Sequence, residues 1–303
     1  FSSKILYKRL GSRVYKRVSN RIVIIGAGST NFGLGIIGDF FKSKILSGST
    51  LVLHDINAET LKNTFEIALS FKEKLGVDFN IESTTSRTDA LQKANFCLIS
   101  IEVGNRFELW EQDWKIPLQY GIKQVYGENG GAGGMFHAMR QVPVIIEICE
   151  DIEKICPEAF VFSYSNPMQR ICHALNTRFP NLKFIGLCHE IASMTRQLPS
   201  LMETEIDNIE FEAGGLNHFS ILLKAKYKDS GNDGYPSINK NFDSYYFDLV
   251  NDHEGFFSNP GAERGLFREL FKRYGFLPIT TDSHLGEYLS WAYSVADHDG
   301  ILD

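Results

Sequence analysis

The sequence has no apolar run approaching the ~20 residues a membrane-spanning helix requires. It has no excess of positive charge either. The formal net charge is −6 at pH 7, so nothing in it invites nucleic acid or an anionic membrane surface. An even, clustered set of cysteines is also missing. Cys97, Cys149, Cys156, Cys172 and Cys188 are odd in number and scattered through apolar or helical stretches. That reads as free thiols in a reducing cytoplasm rather than a disulfide framework. No tandem repeat or low-complexity tract is present. What remains is a globular composition, 43% hydrophobic and 22% charged over 303 residues, long enough for two domains.

Both ends look cut: the chain opens on Phe1 and stops at Asp303 without a closing signal. Residues 1–20 are rich in Lys and Arg and free of acids. Such a leader can be a transit peptide; the reading adopted is an irregular basic N-terminal extension. From residue 21 the texture becomes regular. RIVIIGAGSTNFGLG (21–35) reads strand, Gly-rich turn, helix, and TLVLHDIN (50–57) is a second short strand ending on Asp55. An amphipathic helical stretch follows it. NFCLISI (95–101), AFVFSYSNP (159–167) and KFIGLCH (183–189) are further buried strands. Short apolar strands alternating with helices predict an α/β, doubly wound, Rossmann-like parallel sheet over residues 21–195. After about residue 205, IEFEAGGLNHFSILLKAKYKDSGND predicts antiparallel strands, then helices rich in Phe and Tyr. Residues 196–303 are therefore expected to be an α+β substrate or catalytic domain, truncated at its C-terminus.

The turn after the first strand offers Gly26, Gly28 and Gly33, with Asn31 where the usual third glycine would stand. Gly26 and Gly28 still permit the tight turn and the approach of a pyrophosphate to a helix N-terminus. Ser29 and Thr30 add hydroxyls. Asp55, at the end of the second strand, is placed to accept from an adenosine ribose diol and to repel a 2′-phosphate, which favours NAD over NADP. The competing reading is a glycine turn that holds no ligand.

Other residues fit a plain dehydrogenase less well. SNP (165–167) ends a strand on Asn166, where open sheets bind ligands. Lactate and malate dehydrogenases carry an Asn-Pro near such a place, but they also need an Asp-x-x-Arg element, which this chain lacks. Cys188 ends another strand, and His218 follows a glycine pair thirty residues on. A thiolate and an imidazole are a credible pair of metal ligands, leaving positions open for substrate and water. Against that, Cys188 reads equally as a small buried hydrophobe and His218 as a satisfied turn residue. Asp282, His284 and Glu287 cluster in TTDSHLGEYLSWA, where Asp282 or Ser283 also suits a cap for the helix that follows.

Taken in order, GAGST, GENGGAGGMFHAMRQVPV (127–144), SNP, CHEI (188–191), NHF (217–219) and DSHLGEY resemble glycoside hydrolase family 4, the NAD- and metal-dependent glycosidases, over about residue 21 to the end. The resemblance implies oxidation of the sugar at C3 by bound NAD, loss of the C2 proton, elimination at C1, addition of water and re-reduction. It implies a divalent ion, usually Mn2+, held by Cys188 and His218, which acts as a Lewis acid at the C2 and C3 oxygens. Asn166 and Arg106 resemble substrate-contacting residues; Arg106 otherwise reads as a surface salt bridge. His189 stands where the phospho-sugar branch has its general acid. Asp282 is the candidate base, with His284 as fallback and Tyr288 read as a packing residue. The Cys-His-Glu form resembles the branch acting on unphosphorylated α-glycosides, α-glucosides first, with α-galactosides or α-hexuronides as relatives. A cytoplasmic homo-oligomer, dimer or tetramer, is expected. The alternatives are an NAD-dependent dehydrogenase of a hydroxy acid or polyol, and a non-catalytic NAD-binding module.

Overall fold

A computed structural model describes residues 19–29, 33–248 and 264–296. Residues 1–18 of the basic extension, and Thr30 of the glycine turn, lie outside the described residues. The chain forms two compact units built from interleaved segments. Unit 1 takes residues 1–103, 141–165 and 171–187; unit 2 takes 104–140, 166–170 and 188–303. Segments 104–140 and 166–170 thus cluster with the C-terminal part of the chain.

Unit 1 holds six parallel strands: β1 (Arg21–Ile25), β2 (Thr50–His54), β3 (Asn80–Thr84), β4 (Phe96–Ile99), β5 (Phe160–Ser163) and β6 (Lys183–Gly186). Their order is β3-β2-β1-β4-β5-β6. In β1, all four residues from Ile22 to Ile25 are buried, as expected for a strand covered on both faces. β1 pairs with β2 on one side and β4 on the other. The sheet therefore grows outward in opposite directions from β1 and β4. The crevice beyond their carboxyl ends is where open α/β sheets bind ligands.

β3 is the strand that sequence reading passes over. NIEST buries only Ile81, opposite Leu51 of β2, and an edge strand can be this polar because only one edge pairs.

The helices α1 (Gly33–Lys42), α2 (Ala58–Leu75), α3 (Arg87–Leu91), α4 (Arg106–Gln119), α5 (Gly131–Ile155) and α6 (Met168–Arg178) punctuate the strands. α2 starts where the Asn57 side chain accepts from the N–H groups of Glu59 and Thr60, and ends at Gly76, φ 61°. A cap of this kind contributes about 1 kcal/mol. Leu61, Thr64 and Ala68 form its buried stripe. Ile145, Ile148, Cys149 and Ile152 do the same for α5 and pack with Cys97, Cys156 and Val161. All five cysteines are unpaired.

Unit 2 contains the antiparallel pair β7 (Ile209–Leu216) and β8 (Phe219–Tyr227), with a register shift at Glu212/Ala213. The helices α7 (Met194–Leu201), α8 (Tyr235–Asp243), α9 (Gly265–Tyr274) and α10 (Asp282–Leu285) also belong to it. Its core is aromatic. Phe242 stacks on Phe271 at 4.3 Å between centroids, and Tyr246 and Phe267 are fully buried beside it. The Arg264 guanidinium lies 4.2 Å over the Phe267 ring, a cation–π contact worth more once desolvated. Antiparallel strands followed by Phe- and Tyr-rich helices match the sequence expectation for this region.

Candidate active site

The glycine turn of unit 1 is shaped by close approach. The Gly28 N–H donates to Asp55 Oδ2 at 2.9 Å. A Cβ at Gly28 would lie 2.8 Å from that same oxygen, a distance no real side chain accepts. Asp55 Oδ1 accepts from the Asn57 N–H at 2.9 Å, so the carboxylate is aimed back at the turn. Gly26 has φ 90°. The Gly33 N–H, opening α1, donates to the Ser29 carbonyl at 2.8 Å. No acid stands in the first turn of α1, which leaves the positive helix terminus to an anion. Gly26, Gly28, Ser29 and Asp55 are thus gathered at the carboxyl ends of β1 and β2. The narrow cradle and the carboxylate fit a dinucleotide.

In unit 2, Cys188 and His218 meet: Cys188 Sγ lies 3.3 Å from His218 Nε2. Cys188 comes two residues after β6. His218 sits in the two-residue turn joining β7 to β8, in the left-handed region at φ 65°. That conformation is uncommon for a residue with a Cβ. Glu190 holds it there. Its carboxylate accepts the His218 N–H at 2.8 Å, the Asn217 amide at 3.2 Å and the Ser220 hydroxyl. Burial pushes the His218 imidazole down to about 2, with His284, His189 and Arg106 adding to the effect. The ring is therefore neutral, the form in which it ligates metals. Burial pushes the Cys188 thiol up, opposed by hydrogen bonds from the Glu190 backbone and the Asn217 side chain.

The loop GENGG, ahead of α5, supplies the next layer. Glu128 is buried, pairs with Arg106 and accepts from Asn166 Nδ2 at 3.2 Å and Asn129 Nδ2 at 3.0 Å. Asn129 Nδ2 also lies 2.7 Å from His218 Nδ1. The Asn129 and Gly130 N–H groups both donate to Glu287 Oε2, while Arg170 Nε donates to the Asn129 carbonyl at 2.9 Å. Gly130 packs against the Glu287 backbone with no room for a Cβ. Arg106 is thus more than a surface salt bridge: its partner is 5% exposed at the side chain and belongs to the site.

Asp282 is fully buried, and its two oxygens accept the N–H groups of Leu266 and Phe267, each at 2.7 Å. It caps α9, not the helix that follows it. In this structure the Asp282 carboxylate thus serves as a helix cap. His284 is better exposed, at 22% of its side chain. It stacks on His218 at 3.8 Å and lies 3.9 Å from Glu128 Oε2 and 3.7 Å from Glu287 Oε1. Tyr288 packs and is hydrogen-bonded: it accepts from Gln169 at 2.7 Å and donates to the Asn217 carbonyl at 3.1 Å. His189 is exposed, and burial of its inner part lowers its pKa.

Two donor sets share His218. Cys188 faces Nε2. Glu128 and His284 offer ligand atoms within 4.8 Å of His218 on the other side. Arg106 already neutralises Glu128, so a cation there would face a guanidinium. The Cys188 side carries no such cost. Asn217 Oδ1, in the turn that carries His218, is buried without a hydrogen-bond partner among the described residues, and an unmet acceptor there fits an electropositive guest. Glu128, Asn129, Glu190 and Glu287 lie in motifs the sequence displays, yet their tasks were not readable: each acts through a backbone N–H or a side chain distant in sequence.

Comparison with known proteins shows the family and the fold. The description "Family 4 glycosyl hydrolase" matches residues 21–204 and "Family 4 glycosyl hydrolase C-terminal domain" matches residues 213–299. An alpha-glucosidase of Erwinia rhapontici is 48% identical, over 94% of this chain and 69% of its own length. An alpha-galactosidase of Bacillus subtilis is 35% identical, over 73% of this chain and 50% of its own. The crystal structure of a 6-phospho-alpha-glucosidase from gut microorganisms, in complex with NAD and Mn2+, superposes with a TM-score of 0.77 at 22% identity, covering 93% of this chain and 64% of that one. That likeness shows the fold. The chain thus spans half to about two thirds of the length of these relatives, and it belongs to glycosyl hydrolase family 4.

Proposed function

We propose that the chain is the NAD- and metal-bearing part of a glycosidase that hydrolyses α-glycosides of unphosphorylated sugars, α-glucosides first. The observation that carries this reading is the Cys188–His218 pair at 3.3 Å, in a chain 48% identical to an alpha-glucosidase. Bound NAD, held by Gly26, Gly28, Ser29, Thr30 and Asp55, supplies reversible oxidation at C3. A bound divalent ion, Mn2+ in this reading, would be held by Cys188 and His218 and supplies Lewis-acid polarisation of the C2 and C3 oxygens.

The chain's own groups supply the rest. Asn166 and Arg106 flank Glu128 and present N–H donors to sugar hydroxyls. Their fixed geometry orients the ring and limits water. His284, partly exposed and 3.7 Å from Glu287 Oε1, is the base proposed for the C2 proton, with Glu287 facing the imidazolium that forms. His189 is proposed to protonate the departing C1 oxygen. The unpaired cysteines suit a cytoplasmic setting. Exposed Phe107, Tyr120 and Met139, which are 74%, 79% and 67% accessible, suit a homo-oligomer, dimer or tetramer, which sedimentation tests.

The deciding experiment is cleavage of a panel of nitrophenyl α-glycosides in D2O under reducing conditions, with NAD+ and Mn2+ omitted in turn. The expected result is turnover that needs both, with deuterium at C2 of the product and no net NADH. Cleavage needing neither would mean an ordinary acid/base hydrolase. A dehydrogenase of a hydroxy acid or polyol would instead accumulate NADH, and the comparisons do not favour it.

A further inference from the structure

Glu190 lies two residues after Cys188 in the chain, and its side chain binds the turn that carries His218. Its side chain, 6% exposed, grips the turn that carries His218 at three points: the His218 N–H at 2.8 Å, Asn217 Nδ2 at 3.2 Å and the Ser220 hydroxyl. No cation pairs with this carboxylate among its described contacts, so its charge is met by neutral donors alone. A buried carboxylate is an expensive way to hold a hairpin turn unless the turn's conformation matters. Here it does. A non-glycine residue at φ 65° is strained and persists only where its surroundings dictate it. Released from Glu190, the turn has access to easier conformations that swing the imidazole away from the thiol.

We propose that Glu190 is a positioning residue for the metal seat: it locks the left-handed turn so that His218 Nε2 and Cys188 Sγ face one ion. The inference rests on the reading of that pair as the metal ligands. Glu190 makes no bond to the ion. It acts through the His218 backbone, as outer partners of metal ligands generally act through the ligand they orient. Glutamine retains an acceptor for the His218 N–H, whereas alanine leaves that donor buried and unmet.

Co2+ added alone to the 303-residue protein reports the pair directly, through the thiolate-to-metal charge-transfer band and its titration midpoint. Glu190→Ala is expected to weaken Co2+ binding by about 10- to 100-fold and to diminish the band at saturation. Glu190→Gln should restore most of both. NADH binding, followed by fluorescence, should stay as in the parent for both variants and certifies that unit 1 is folded. Near-UV circular dichroism does the same for unit 2. Glu190→Ala binding Co2+ within twofold of the parent, with the band intact, would overturn the proposal. So would equal losses in Ala and Gln. Cys188→Ser separates the two levels: if the parent shows a band that this variant keeps, the ligand assignment fails rather than the role of Glu190.

Discussion

Asp282 and Leu266 are joined across sixteen residues by a hydrogen bond of 2.7 Å from backbone N–H to carboxylate, and Phe267 donates to the other oxygen. Two charge-assisted bonds at a buried helix N-terminus make Asp282 a stability residue. Asp282→Asn keeps one acceptor and should cost about 1–3 kcal/mol of unfolding free energy, read from the urea midpoint. His284→Gln should leave stability nearly unchanged and slow proton exchange at C2 far more. If Asp282→Asn instead kept parental stability and lost exchange, the base would be Asp282 and the assignment to His284 would fall.

Replacing Cys188 removes the soft half of the donor pair. Cys188→Ser should weaken Mn2+ binding by at least about tenfold, measured by the electron paramagnetic resonance of free Mn2+. Peroxide without reductant should do the same to the parent, reversibly with thiol at low doses, because a sulfenic acid is a poor ligand and is reducible. Binding untouched by both treatments would remove Cys188 from the seat.

Asp55 ties the Gly28 N–H and sets the charge at the end of β2. Asp55→Ala should lower NAD affinity by about tenfold, the loss of a charge-assisted hydrogen bond. It should also narrow the preference for NAD over NADP, since a repelling charge is gone. Titrations of both cofactors check this. An unchanged NAD/NADP ratio would mean that the carboxylate serves the turn only.

His54, 3% exposed on β2, interacts through Nδ1 with the Thr84 carbonyl at 3.0 Å. Burial lowers its pKa below 6.5, against the opposing pull of that bond and of Asp55. The unfolded chain therefore binds a proton that the folded one refuses. The stability associated with His54 is complete above about pH 6.5 and is lost as pH falls, with a slope of up to about 1.4 kcal/mol per pH unit. His54→Gln should flatten the fall in urea stability between about pH 7 and pH 5. A parallel slope in the variant would show that His54 is not the titrating group.

Much of unit 1 was legible because its determinants are local. RIVII and TLVLH announce buried strands, and the glycine turn lies next to Asp55 in space as well as in pattern. NIEST was not legible, since an edge strand needs pairing more than hydrophobicity. In unit 2, Cys188 and His218 could be singled out by residue type, but their 3.3 Å approach depends on the Glu190 grip and on a backbone angle that sequence does not display. Asp282 shows the same limit. An Asp beside His and Glu resembles acid/base machinery, and the partners it meets in the structure, Leu266 and Phe267, are apolar residues that contribute only N–H groups. The interleaving of segments 104–140 and 166–170 with unit 2 was equally hidden, because composition changes gradually there.

The left-handed turn at His218 also bears on what an ion means to this molecule. In small zinc modules, metal and fold arrive together, and a chelator unfolds the chain. Here a hairpin turn and the Glu190 carboxylate bring the thiol and the imidazole to 3.3 Å through contacts within the protein. If the pair is an ion seat as proposed, the ion is a guest of that hydrogen-bonded architecture rather than its organiser. Stripping it should then cost only the stability expected from ligand saturation, which varies with the free-ion concentration, and unfolding midpoints with and without a chelator check this.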